Sequence, residues 1–275
     1  MILAEFIWYL SFLLISCLFF FSFQLCGVLT AWRLLPGESG GARLLLGSML
    51  GSVLLQWCPV PFSFFLGFTA ASSFCGLGAA VLLCVLCLAV VKKGERVPLG
   101  FSAFARRKFL WVILLVLLLF WALVWRSFRW ENGRICSSQA TYGDMSMHLS
   151  FLTSIARQGT FPPEYSLLPG FRLSYPFLGD SISSSLYLFY HMAKGLTGFW
   201  VEALKWSYFL PMAFAGAQVL FGGYLFVSRL LSDQRKADFA WTLFFFNGGF
   251  GFLYFLGSGK DFCRIFTGFY QTPTN

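Results

Sequence analysis

From Leu44 to Val91 the chain contains no Lys, Arg, Asp or Glu. A soluble domain carries roughly 25% charged residues spread over its surface, so a run of this length has no place in one. A helix rises about 1.5 Å per residue and needs about 20 apolar residues to cross hydrocarbon about 30 Å thick. The run is long enough for two crossings. Backbone groups in lipid need internal partners, and the run is too long and too uniformly apolar for barrel strands, so the crossings are expected as helices. Pro59 and Pro61 mark the expected turn between them.

The rest of the composition agrees. Hydrophobic residues make up 58% of the 275 and charged residues 11%, and mean hydropathy is +0.72. The fold class expected is all-α: a polytopic transmembrane helical bundle of about six spans. Besides the two in 44–91, these are Phe6 to Trp32, Phe109 to Trp125, Leu204 to Val227 and Phe239 to Leu256. The first is too long for a signal-peptide core and has Glu5 where such a peptide carries a basic flank, so it reads as a retained span. Ser181 to Trp200 is the candidate seventh. It holds Lys194 and several Ser, and its Tyr187, Tyr190 and Trp200 favour an interfacial or re-entrant helix over a crossing.

A net charge of +9 would suit nucleic acid if the cations made one face. Instead Lys92, Lys93, Arg96, Arg106, Arg107 and Lys108 share one connection between apolar runs, which places that loop in the cytoplasm and excludes nucleic acid as a partner. The connections at 33–43 and 229–238 then fall on the same side. The N-terminus, the stretch from Arg126 to Glu202 and the tail from Gly257 fall outside, in a bacterial-type plasma membrane. Most of the eight Cys lie in apolar runs, where a thiol is a small hydrophobe. Cys136 and Cys263 are the two in polar stretches, and would pair only if both face an oxidising side.

The exterior stretch 126–202 is the part with chemical character. Its first section, Arg129 to Thr141, is polar and expected to be irregular. Leu149, Leu152, Ile155 and Ala156 then recur at helical spacing, so Asp144 is expected to open an interfacial helix that Gly159 ends. Asp144 near the N-cap and His148 one turn on share a face. The bland account is a cap and an interfacial ring. The functional account is an acid and an imidazole that remove a proton from an incoming hydroxyl or hold a divalent cation against a diphosphate. Pro162, Pro163, Pro169 and Pro176 make the next segment a defined loop. In it, Arg172 is a candidate for an anionic group, against a headgroup contact or an ion pair with Glu164 or Asp180. Asp180 is expected to cap the helix that starts at Ser181.

This order of elements resembles the GT-C type of membrane glycosyltransferases, which use a polyprenyl-phosphate-linked sugar as donor. The resemblance rests on the span at 109–125, Tyr142-Gly143-Asp144, the helix around Leu149, the Gly159-Thr160-Phe161 turn, Ser174-Tyr175-Pro176-Phe177-Leu178, the helix from Ser181, and a span closing at Arg229-Leu230-Leu231. Met145 stands where the family often has a second acid, and Phe177 where it has a second proline, so order carries more of the match than identity. The sequence also resembles longer uncharacterised multi-span bacterial membrane proteins with Gly-Asp, Ser-Tyr-Pro-Phe-Leu and Asn-Gly-Gly elements.

The resemblance implies Asp144 as catalytic base for an acceptor hydroxyl. His148, Glu164, Arg172, Lys260 and Asp261 are the candidate substrate contacts, with no certain cofactor, and membrane lipids and a polyprenyl-linked substrate are the partners. Residues 1–108 would be an N-terminal three-span section and 109–257 the GT-C-like core. Residues 258–275 would be the start of a further exterior segment, with more spans expected beyond it. The alternative reading is a transporter or flippase of a lipid or polysaccharide, or a non-catalytic membrane fragment. Asn247-Gly248-Gly249 in the sixth run is the clearest polar interruption for transport, and reads otherwise as helix packing.

Overall fold

The computed structural model describes residues 2–91, 108–131, 134–138, 142–192 and 198–247. The order is α1 (Ile2–Leu34), α2 (Gly40–Trp57), α3 (Pro59–Leu66), α4 (Ala70–Val90), α5 (Phe109–Ser127), β1 (Phe128–Glu131), β2 (Arg134–Ser137), α6 (Tyr142–Gln158), β3 (Glu164–Tyr165), β4 (Leu168–Arg172), α7 (Leu178–His191), α8 (Trp200–Leu230) and α9 (Gln234–Phe245). Five stretches among the described residues are long and apolar enough to cross a membrane: Leu3–Leu34, Gly40–Leu66, Ala70–Val90, Phe109–Ser127 and Trp200–Leu230. The protein is an all-α, multi-span membrane protein with two small hairpins. Of the expected sixth span, the described part is α9 and its end. This 12-residue helix is too short to cross alone, and Asn247 is exposed just past it. Gly248, Gly249 and the rest of that run, the basic loop at 92–107, Lys194, Lys260, Asp261 and Cys263 lie outside the described residues.

The chain divides into two compact units, residues 1–108 with 148–211 and residues 109–147 with 212–275. In the first, α1 and α2 touch backbone to backbone. Gly47 and Gly51 stand one turn apart on α2, and a Cβ on Gly51 would lie 2.6 Å from Gln24 Cα, one on Gly47 2.5 Å from Val28 Cα. Lipid gives no hydrophobic drive for helices to associate, so close packing at small residues must supply the attraction. A similar stripe runs down α4, where Ser72, Gly76, Ala80 and Cys84 are all buried at four-residue spacing.

The turn between the second and third crossings falls at Gly67 and Phe68, not at the prolines. Pro59 and Pro61 sit in the first turn of α3, where a missing N–H removes nothing. Gly67 has φ +68°, a left-handed angle that suits glycine, and Thr69 then starts α4 with a reciprocal cap to Ser72. The section around 129–137, expected to be irregular, is an antiparallel hairpin with Glu131 opposite Arg134. The sequence between the strands is Asn132-Gly133, the pair best suited to a two-residue turn.

Helix α7 is shorter than the expected Ser181 to Trp200 segment. Its 14 residues rise about 21 Å, too little for a crossing. It packs against α1, α2 and α4. Phe189 meets Phe19 and Phe74 at ring distances of 5.0 and 5.4 Å, and Tyr190 meets Phe12 at 5.7 Å. The indole of Trp8 donates to the Tyr190 carbonyl at 3.2 Å. Of the aromatic residues read as interfacial in the sequence, Tyr187 and Tyr190 are thus buried, whereas Trp200 starts α8 and is exposed.

In the second unit, α5, the later part of α8 and α9 build one core from Leu110, Ile113, Leu117, Leu220, Tyr224 and Trp241. The Trp121 indole donates to the Ala213 carbonyl at 2.8 Å and the Trp241 indole to Leu220 at 2.9 Å. Asp233 caps α9.

The α1–α2 contact makes a direct test. Gly51→Leu should lower stability by about 1–3 kcal/mol or more through overpacking, whereas Gly37→Ala, with nothing near its added carbon, should be neutral. Thermal unfolding of the purified protein in one detergent measures both; equal melting temperatures would overturn the packing argument.

Candidate functional site

Helix α6 is amphipathic as its sequence requires. Met145, Leu149, Phe151, Leu152, Ile155 and Ala156 are buried, and Gly159 ends it at φ +66°. The helix begins at Tyr142, so Asp144 lies inside the first turn instead of at the N-cap. There the positive end of the helix dipole favours a carboxylate. Asp144 is exposed and has no hydrogen-bond partner among the described residues.

His148 lies one turn further along α6, and its partner is Asp180 on α7. Nδ1 is 3.0 and 3.1 Å from the two carboxylate oxygens. Asp180 therefore does not cap its helix, whose N-cap position is Phe177 without a side-chain cap. The imidazole forms a triangle of rings with Tyr175, at 5.9 Å, and Phe151, at 6.3 Å, which are 5.3 Å from each other. Its side chain is 35% exposed, that of Asp180 15%. Burial pushes the Asp180 carboxyl above the usual carboxylate range, and the hydrogen bond and charge of His148 pull it back. An ionised carboxylate only accepts, so in this bond Nδ1 carries the hydrogen.

The proline-rich loop is held from α6 as well. Gln158 accepts from the Glu164 amide at 2.8 Å and donates to the Glu164 carbonyl at 3.1 Å. Ser150 donates to Ser166 at 2.7 Å, and the Leu173 amide to Pro163 at 2.8 Å. Glu164 and Arg172 face each other in the β3–β4 ladder. No ion pair joins them: the Glu164 carboxylate accepts from the Gly170 amide at 2.9 Å, and Arg172 is exposed. Asp180 is also no partner for Arg172, being engaged by His148. Cys136 is a free thiol on β2.

At the other end of α7, His191 has its Nε2 buried with no hydrogen-bond partner, edge-on to the Tyr187 ring at 4.6 Å. Burial, then the charge of Arg157, push its pKa down. Burial of Tyr190, with nearby Tyr187, Glu5 and Glu202, pushes its hydroxyl up to about 12.

The structure thus joins His148 to a residue that sequence reasoning had treated as a helix cap. It sets Glu164 opposite Arg172 without pairing them, and keeps Asp144 exposed on the same helix as His148. The Asp180 and Gln158 contacts are long-range or depend on a loop path, and no spacing announces them. Among the described residues, no group of three or more His, Cys, Asp or Glu is placed to hold a metal ion.

No family model, no curated protein and no solved structure matches this chain. What fold and hydropathy define is a multi-span α-helical membrane protein in contact with membrane lipids.

The buried imidazole sets a pH response. A His whose folded pKa lies below its unfolded value near 6.5 leaves the unfolded chain binding more protons, so its contribution is lost as pH falls below that value. Asp180, raised in the fold, acts with the opposite sign. Melting measured at about pH 7.5 and about pH 5.5 should show an acid loss in the native chain that His191→Phe reduces. An unchanged acid loss in that variant would place its origin elsewhere.

Proposed function

We propose that the chain transfers a sugar from a polyprenyl-phosphate donor to a hydroxyl of an envelope acceptor, on the exterior face of a bacterial-type plasma membrane. The observation that carries this reading is the exposed carboxylate of Asp144 in the first turn of an amphipathic helix that follows a spanning helix and a hairpin. In the proposed reaction Asp144 takes the proton of the acceptor hydroxyl. The hydroxyl oxygen bonds the anomeric carbon, and the bond to phosphate breaks with its electron pair on the departing polyprenyl phosphate. His148, oriented by Asp180, Glu164 on β3 and Arg172, exposed on β4, are the proposed substrate contacts within the described residues. A guanidinium fork suits phosphate oxygens. Lys260 and Asp261 keep the same proposed role from sequence alone.

Transfer from a radiolabelled polyprenyl-phosphate sugar should fall about 10²–10⁴-fold in Asp144→Asn at equal expression, the range expected for a lost general base. Unaffected transfer would sink the assignment. The orientation is tested separately by Ser137→Cys in a background without the other Cys, which an impermeant thiol reagent should label in intact cells. Labelling only after permeabilisation would put Asp144 on the cytoplasmic face.

Transport remains the second reading, and a specific feature favours it: Gln24 Oε1 on α1 and the Ser207 and Ser228 hydroxyls on α8 are buried without partners inside spans. Counterflow in sealed proteoliposomes without sugar transfer would select it.

A further inference from the structure

We infer that the β3–β4 hairpin is a wedge that sits in the headgroup layer of the bilayer, with its occupant the membrane lipid itself. Two independent sets of observations meet here. The first fixes the level of the hairpin's root. The second crossing ends at Leu66 and the third begins at Ala70, so Gly67 and Phe68 mark where the chain turns at the membrane surface. Phe64 and Phe65 stand exposed just before that turn, where aromatic residues form the interfacial belt. The end of α6 rests on this same turn: the Phe68 amide donates to the Gly159 carbonyl at 3.1 Å, and the Phe161 ring meets Phe64 edge-on at 4.8 Å. Gly67 faces the Gly159 carbonyl so closely that no side chain fits between them. The segment that enters the hairpin therefore leaves from the surface end of two spans.

The second set concerns what the hairpin carries. Every residue of β4, Leu168-Pro169-Gly170-Phe171-Arg172, is exposed, whereas β3 is half-buried with Tyr165 against the Phe151 ring at 5.8 Å, so the ribbon is anchored along β3 and bare along β4. Leu167 is 78% exposed, Leu168 57% and Phe171 67%. An isolated two-stranded ribbon is marginal in water, and apolar side chains clustered at its tip need cover. Gln158 and the Leu173–Pro163 bond clamp its base, so the ribbon is presented and not left to collapse. Arg172, with its long apolar stem and charged end, completes the pattern of a residue that reaches lipid phosphate from the edge of the hydrocarbon. Arg172 is shared with the proposed transfer, but the placement of Leu167, Leu168 and Phe171 in the headgroup layer holds whichever reaction the chain performs.

The test uses the full chain in lipid nanodiscs, with an environment-sensitive fluorescent amino acid in place of Leu168 so that the native Cys stay in place. Lipids carrying a spin-label quencher near the headgroup should quench it strongly, and lipids carrying the quencher at the bilayer centre weakly. Arg172→Gln should weaken the response to anionic lipid, up to about fivefold, as expected for one cation near such a surface. A second probe, at Phe171, guards against a fault of one site and should give the same profile. Emission typical of water with no quenching at both sites would overturn the inference. Emission typical of an apolar site with no quenching would overturn it too, and would assign the cover to protein.

Discussion

Hydrocarbon offers a peptide group no hydrogen-bond partner, and this structure follows from that constraint more than from any single contact. Each crossing is a helix because only a helix pairs its backbone within one segment. Once the helices exist, oil-like surroundings no longer reward burying Leu or Phe between them. Many large apolar side chains on the spans accordingly point outward: Leu14, Leu18, Leu82, Leu115 and Phe226 are all well exposed. What lies between α1 and α2 is glycine, and what lines the buried side of α4 is Ser, Gly, Ala and Cys. At these two contacts the interior is built of small residues, while large side chains such as Phe12, Phe19, Ile113 and Trp241 are buried elsewhere.

The same constraint explains the buried serines. Ser48, Ser63, Ser72, Ser73 and Ser127 are all nearly inaccessible, and each hydroxyl donates to a carbonyl three or four residues earlier in its own chain. Ser184 does so on α7, to the Asp180 carbonyl. A serine satisfied in this way needs no partner helix and occupies little more room than alanine, so it permits close approach without an orphaned donor. This is how α7, rich in Ser, comes to be enclosed by three spans when its composition read as interfacial. Polarity along the sequence was legible; the local satisfaction of that polarity was not.

Elsewhere the division between legible and hidden features follows interaction range. Crossings declare themselves by apolar length, and five appear where composition placed them. The amphipathic period of α6 and its stop at Gly159 are local too, and both were readable. The turn before α4 lies away from Pro59 and Pro61, although proline so often breaks a helix. At the first turn of a helix it breaks nothing, and the positive φ of Gly67 with the Thr69–Ser72 cap is the actual signal. The Asn132-Gly133 pair was in plain view and would have marked the hairpin. The His148–Asp180 pair belongs to another category. Thirty-two positions separate its members, and a carboxylate directly before a serine-rich segment looks like a cap until a second helix supplies an imidazole.

That pair also shows how the two histidines of the chain come to differ. His148 is half-exposed and shares a proton with a buried carboxylate, so burying Asp180 is offset by a charge-assisted bond. His191, on the same helix as Asp180, is set against Tyr187 with a buried nitrogen and no partner, and desolvation keeps it neutral. Helix α7 thus carries a proton-binding group at its start, where α6 supplies a partner, and a proton-refusing one at its end. The buried carboxylate of α7 is matched by a hydrogen-bonding ring from α6, while the imidazole at the other end of the same helix has a buried nitrogen that nothing answers.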